Sequence, residues 1–164
     1  MTTRTLSAAR ATVLGLFALP ALSGVLGAQS TPVLAGTAPI YTSRFSQLAL
    51  AAFDPVAYFL DGKPVEGSRE FTYTWQGATW RFASEANRNA FSAAPERYAP
   101  QYGGYCAWAA AQGYVAPGDP RHWRIVGGKL YVNYDGNVQA TWERDIPGHV
   151  KAADANWPGL LAKD

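Results

Sequence analysis

Three side chains in this sequence are of a type that could hold a soft metal ion or act as nucleophile and base: Cys106, His122 and His149. Cys106 is the only cysteine, so the chain has no internal disulfide. It follows Tyr102-Gly103-Gly104-Tyr105 and leads into an alanine-rich run, a context that places it in the first turn of a helix. A helix N-terminus favours the thiolate and can bring a cysteine pKa below its usual ~8.5. Neighbouring glycines let another group approach closely. Those are the conditions for a reactive thiol, or for a ligand to Cu(I) or another soft transition metal; a small buried core residue is the plainer alternative. One thiolate does not fill a coordination sphere, so its partners would be His122, His149 or groups from a second copy of the chain. The histidines have no ligand spacing between them, and a joint site would depend on tertiary contact. Tyr98, Tyr102, Tyr105 and Tyr114 fall near Cys106 in the chain. They either line a pocket, with Tyr102 and Tyr105 as candidate cofactor contacts, or close a core. Asp54 in Phe53-Asp54-Pro55-Val56 reads as a helix N-cap followed by a proline at the first helical position, which accounts for it. There is no phosphate-cradling loop, nucleophile elbow or pair of catalytic carboxylates. Nucleophile, base and oxyanion donors are not supplied together, so the residues lean away from an enzyme.

The elements that must position these groups are legible in outline. Phe71-Thr72-Tyr73-Thr74-Trp75 alternates aromatic and threonine, the period of a half-buried strand, and Trp80-Arg81-Phe82 returns after Gln76-Gly77. Trp123-Arg124-Ile125-Val126 and Leu130-Tyr131-Val132 flank Gly127-Gly128, a strong hairpin signal. These hairpins are expected to share one antiparallel sheet and one core. Helices are expected from Ser84 through about Phe91, over Pro95 to Tyr98, over Tyr105 to Gln112 ahead of Gly113, from Asp135 to Arg144, and from Asp145-Ile146-Pro147 onward. The expected class is α+β: a small antiparallel sheet of two hairpins packed with several short helices. No internal repeat is evident.

The run Asp54-Pro55-Val56, the aromatic hairpin, Phe82-Ala83-Ser84-Glu85-Ala86-Asn87 and Phe91…Pro95-Glu96-Arg97-Tyr98 resembles the YHS domain. Tyr102-Gly103-Gly104-Tyr105-Cys106-Ala107, Trp123, Gly128-Lys129-Leu130-Tyr131 and Asp145-Ile146-Pro147-Gly148 look like a longer, exported branch of that family. The resemblance implies a domain over residues 52–158, and a place beside heavy-metal transport and sensing proteins or certain oxygenases. Metal-linked members carry Asp-Pro-Val-Cys and Phe-Cys-Ser-x-x-Cys; those cysteine positions read here as Ala57, Ala83 and Asn87. A cysteine cage cannot be built there. The reading is an exported, non-enzymatic binding module, with a soft metal at Cys106 as one form of it. The alternative is a metal-free structural or interaction domain serving an exported partner, with a homodimer as a further possibility.

The N-terminus carries the export signal in this reading. Arg4 and Arg10 precede an apolar stretch from Ala11 to Leu26, broken by Pro20 and glycines: a charged n-region followed by an h-region. The run is too weak for the ~20 strongly apolar residues of a permanent span. Residues 1–27 are thus expected to be a signal peptide, 28–51 a flexible lead-in and 159–164 a tail, with cleavage after Gly27 or Ala35 and a periplasmic or secreted destination. Losing Arg4 and Arg10 from the 14 Lys and Arg leaves 12, against 12 Asp and Glu, so no basic surplus argues for nucleic acid. Intact-mass measurement of the exported protein should show a chain beginning at Ala28 or Gly36; full-length protein in the membrane fraction would contradict this.

Overall fold

Alternating aromatics and threonines give a first strand with one half-buried face. In the computed structural model, which describes residues 36–43 and 45–162, β1 (Ser68–Trp75) pairs antiparallel with β2 (Ala78–Phe82). Gln76 and Gly77 join them with φ of 48° and 76°, the two left-handed residues that a tight hairpin turn requires. Gly127 and Gly128, at 57° and 75°, do the same between β3 (Asp119–Val126) and β4 (Lys129–Asn133). The class is α+β, but the hairpins form two separate two-stranded sheets rather than one. The outer edge of β2 is taken by the incoming chain: Ala49 N–H donates to the Thr79 carbonyl at 2.9 Å, and Thr79 N–H donates to that of Gln47 at 2.7 Å. Beside β4, Cys106 bridges to Val132.

The helices start where capping residues put them. After α1 (Ala57–Leu60) comes α2 (Glu85–Ala93), whose N-cap Ser84 accepts a hydrogen bond from Asn87 N–H at 3.1 Å. There follow α3 (Pro95–Tyr98), α4 (Ala107–Ala111) and α5 (Gly136–Trp142), the last capped by Asp135 on Val138 N–H at 2.8 Å. A 3₁₀ turn at Glu143–Asp145 ends α5 before the expected Arg144. Asp145 then caps α6 (Ile146–Leu161). That helix continues past residue 158, with Leu160 buried, so residues 159–161 are part of the fold and not of a tail.

The same succession of elements occurs twice, contrary to the absence of a repeat in the sequence reading. A left-handed turn, a short helix, a hairpin of eight and five residues and a capped helix are followed by the same set about 51 positions on: Ser68 and Asp119 begin the long strands, Ala78 and Lys129 the short ones, Glu85 and Gly136 the helices. The register shifts between Ser68 and Thr72 in one hairpin and between Asp119 and Trp123 in the other. Consecutive left-handed residues precede both sets, Leu50-Ala51-Ala52 and Tyr102-Gly103-Gly104. Isolated bridges also match: Phe53 with Glu66, and Tyr105 with Pro117.

Two clusters of buried side chains, in place of one core, divide along β4. Leu130 and Val132 face the first, with Trp80, Phe82, Phe91, Val56 and Tyr58; Tyr131 faces the second, with Trp142, Tyr102, Ala153 and Leu160. The described part of the expected flexible lead-in is built into the first cluster, because Ile40, Ala49 and Leu50 bury there and Tyr41 N–H donates to the Gly103 carbonyl at 2.9 Å. The expected signal peptide and both cleavage positions lie outside the described residues. Trp80 is fully buried among Trp75, Phe82 and Phe91. Trp80→Ala should therefore cost about 3–5 kcal/mol in urea unfolding; a loss below about 1 kcal/mol would place the ring outside the core.

Candidate functional site

Asp54 does far more than cap a helix. Its side chain is fully buried. One oxygen, Oδ1, accepts from Val56 N–H at 2.8 Å and from Ala57 N–H at 3.4 Å, which is the expected capping of α1. The other, Oδ2, accepts from Ala83 N–H at 2.8 Å and from the Asn87 side-chain amide at 2.7 Å. A carboxylate removed from water needs its lone pairs filled, and here the end of β2 and the first turn of α2 fill them. The sequence signal that could have shown this was Asn87, an amide placed at the third position after the Ser84 cap.

Cys106 sits at the N-cap of α4 with extended backbone, one residue before the helix proper. It is buried, and its S–H donates to Asn133 Oδ1 at 3.7 Å. Burial raises the thiol pKa above its ordinary value, outweighing the backbone N–H groups of Ala109, Tyr134 and Trp108 that act in the other direction. The expectation of a thiol made acidic by the helix end is thus reversed, since desolvation disfavours the thiolate more than this one-turn helix favours it. Asn133 is itself fully buried, and its Oδ1 also accepts from Trp108 N–H at 3.1 Å.

The other sequence candidates are dispersed. His122 lies on β3, with its ring against the start of α5 at Gly136. His149, in the first turn of α6, places Nδ1 3.0 Å from the Trp142 carbonyl. Tyr102 donates its hydroxyl to Asp154 Oδ1 at 2.9 Å, and burial holds its pKa far above the usual tyrosine value. Tyr105 rests between Tyr41 and Trp157, with ring centroids at 5.3 and 5.7 Å. Both tyrosines are buried parts of the fold; of the four near Cys106 in sequence, Tyr114 is the one that shares a pocket with it. Among the described residues no three of His, Cys, Asp and Glu come together in a group that could hold a metal. Cys106, His122 and His149 therefore form no joint site within one chain.

The metal that the resemblance implies does not fit these residues. Where metal-linked members have cysteines, Ala57, Ala83 and Asn87 offer no thiolate, and each is instead hydrogen-bonded to Asp54 through a backbone or amide N–H.

Concave space lies elsewhere. A cleft of about 670 Å³ opens between the incoming chain and the start of β3, within the range of small-molecule sites. Tyr41, Ser43 and Ser46 give it hydroxyl groups, while Leu48, Phe53 and Pro120 give it apolar wall. Glu66 lines it too, and its charged corner is Asp119 with Arg121: Nη2 donates to Oδ2, and Nε and the Arg121 backbone N–H donate to Oδ1 at 2.9 Å. That guanidinium holds the Asp119 carboxyl below the usual carboxylate range. Ala51 also lines the cleft, from the middle of three consecutive residues at φ 48°, 48° and 71°. Such backbone costs about 1–2 kcal/mol per non-glycine residue, and strain of this kind gathers at binding sites.

The family model for the YHS domain matches residues 56–102. No curated protein and no solved structure shows significant similarity to the chain. Removing the Asp54 carboxylate would leave the N–H groups of Val56 and Ala83 without partners in the interior. Asp54→Ala should accordingly cost about 2–5 kcal/mol, and Asn87→Ala markedly less, when both are compared with wild type by urea unfolding.

Proposed function

Residues 56–102 belong to the YHS domain family, and from that we propose that the protein is an exported, non-enzymatic binding module that takes a small organic ligand, without a metal, in the cleft between residues 41–53 and β3. The observation that carries this reading is the cleft itself, with its strained wall at Ala51 and its fixed Asp119–Arg121 pair. An arginine whose fork is already held by a carboxylate presents its remaining N–H donors at little entropic cost. The apolar wall supplies contact area, and the hydroxyls supply orientation. Nothing in the cleft combines a nucleophile with a base, which is why binding is preferred to turnover. The charged N-terminal start and apolar run support the export part of the reading.

A set of neutral, cationic and anionic fragments titrated into ¹⁵N-labelled protein should shift resonances of Ser46, Phe53 and Arg121 together. Arg121→Ala should weaken the best fragment about ten-fold, the loss of one charge-assisted hydrogen bond. Metal analysis of the same protein should find no stoichiometric copper or zinc, with Cys106→Ser making no difference. Fragment shifts that avoid the cleft, or a metal lost with the thiol, would overturn the reading.

A further inference from the structure

The two structural copies differ most at one place. Ala57, Ala83 and Asn87, the three positions gathered by Asp54, correspond 51 residues on to Trp108, Tyr134 and Val138. In the second copy no carboxylate stands at the node: Cys106 occupies the place of Asp54, its N–H donating to the Ala116 carbonyl as that of Asp54 does to the Val65 carbonyl. The start of the short helix is served from the end of the strand instead: Asn133 Oδ1 accepts from Trp108 N–H and from the Cys106 thiol. The N–H at the helix start is thus served from beneath, although the buried Asn133 Nδ2 itself finds no partner among the described residues, and the side chains at the three corresponding positions are released from that task. Trp108, Tyr134 and Val138 line a pocket of about 220 Å³, together with Cys106, Tyr114 and Ala116. Its wall is almost entirely carbon and sulfur.

We propose that this pocket in the second copy binds a small, uncharged aromatic molecule of one or two fused rings. Size comes first: an apolar cavity of about 150 Å³ takes a benzene ring, so about 220 Å³ leaves room for a somewhat larger one. The geometry of the wall agrees. The Trp108 and Tyr114 rings meet edge to face, with centroids 6.3 Å apart at 85°, so a bound ring would find both a face and an edge to pack on. Polarity excludes the alternatives. No charged side chain lines the pocket, and burial raises the pKa of the thiol beside it, so an ion entering would lose hydration without compensation. The rim is open to solvent: Tyr114 and Tyr134 are 48% and 54% exposed, two of the five large hydrophobics exposed among the described residues. Exposed apolar groups gathered round one hollow mark a binding surface. At the positions matching Tyr134 and Val138 the first copy needs only Ala83 and Asn87. Tyr134 stands in the wall of both this pocket and the cleft, but the other lining residues are the pocket's own, and the proposal does not depend on the cleft.

The test is titration of the ¹⁵N-labelled full domain with indole, with benzoate as charged control. Indole should shift resonances across residues 106–116 and at Val138, and benzoate should not. Val138→Phe, which fills the pocket, should weaken indole at least ten-fold while the thermal midpoint shows the variant folded; Tyr114→Ser, an exposed position on the wall of this pocket and not of the cleft, serves if it does not fold. The proposal is overturned if indole leaves those resonances unmoved, if its affinity is unchanged in the pocket variants, or if benzoate binds equally well. Shifts confined to Ser46, Phe53 and Arg121 would also overturn it, and would assign indole to the cleft.

Discussion

The Asp54 carboxylate accepts from three segments that nothing else ties together so tightly: the turn before α1, the end of β2, and the first turn of α2. With four donors around it and no exposure to water, the group is stable only while all three segments keep their places. The arrangement is therefore self-enforcing, because losing any one donor exposes the interior to an under-satisfied charge. Much of the first core hangs on this. The turn carries Val56 and Tyr58, the strand carries Trp80 and Phe82, and the helix carries Phe91. A hydrogen-bonded carboxylate thereby joins positions at which metal-linked members would place thiolates, and it does so with atoms that every copy of the chain brings with it.

What could be read from the sequence was local. Hairpin turns at Gln76-Gly77 and Gly127-Gly128, and caps at Ser84, Asp135 and Asp145, depend on residues within three or four positions of one another, and the structure has them. What could not be read was long-range. The second oxygen of Asp54 meets Ala83 and Asn87, which are 29 and 33 positions away. Burial raises the Cys106 thiol pKa, and the thiol's partner, Asn133, is 27 positions on. The chain before residue 51 is rich in Pro, Gly, Ser and Thr, so composition concealed that Ile40, Ala49 and Leu50 are core.

The structural repeat was hidden for a different reason. Its two copies use like residues for like tasks without sharing many letters: Ser84 and Asp135 both cap, Phe91 and Trp142 both fill a core. Glycine was the available signal. Gly62, Gly67 and Gly77 recur as Gly113, Gly118 and Gly128 at the same separation. Two of these pairs hold left-handed backbone, at Gly62 and Gly113 and at Gly77 and Gly128. At the third a β-carbon would come within 2.4 Å of Arg81 backbone beside Gly67, and as near to Gly104 backbone beside Gly118. Backbone demands outlast side-chain identity. The two copies are then free to diverge in what they carry, one sealing its node with a carboxylate and the other lining it with rings.

Gly103 has no room for a side chain: a β-carbon there would lie 1.8 Å from the Pro39 carbonyl oxygen. That contact closes the chain across the limits of its own homology, since the matched segment begins at Val56 and ends at Tyr102, while Pro39 and Gly103 stand on either side of it. A cassette excised at those limits would lose Ala49 and Leu50 from its core and the strand that covers Val56 and Trp80 from the other side. The segment that the family model matches is thus smaller than the core into which it folds, which draws Ala49 and Leu50 from before it and Leu130 and Val132 from after it.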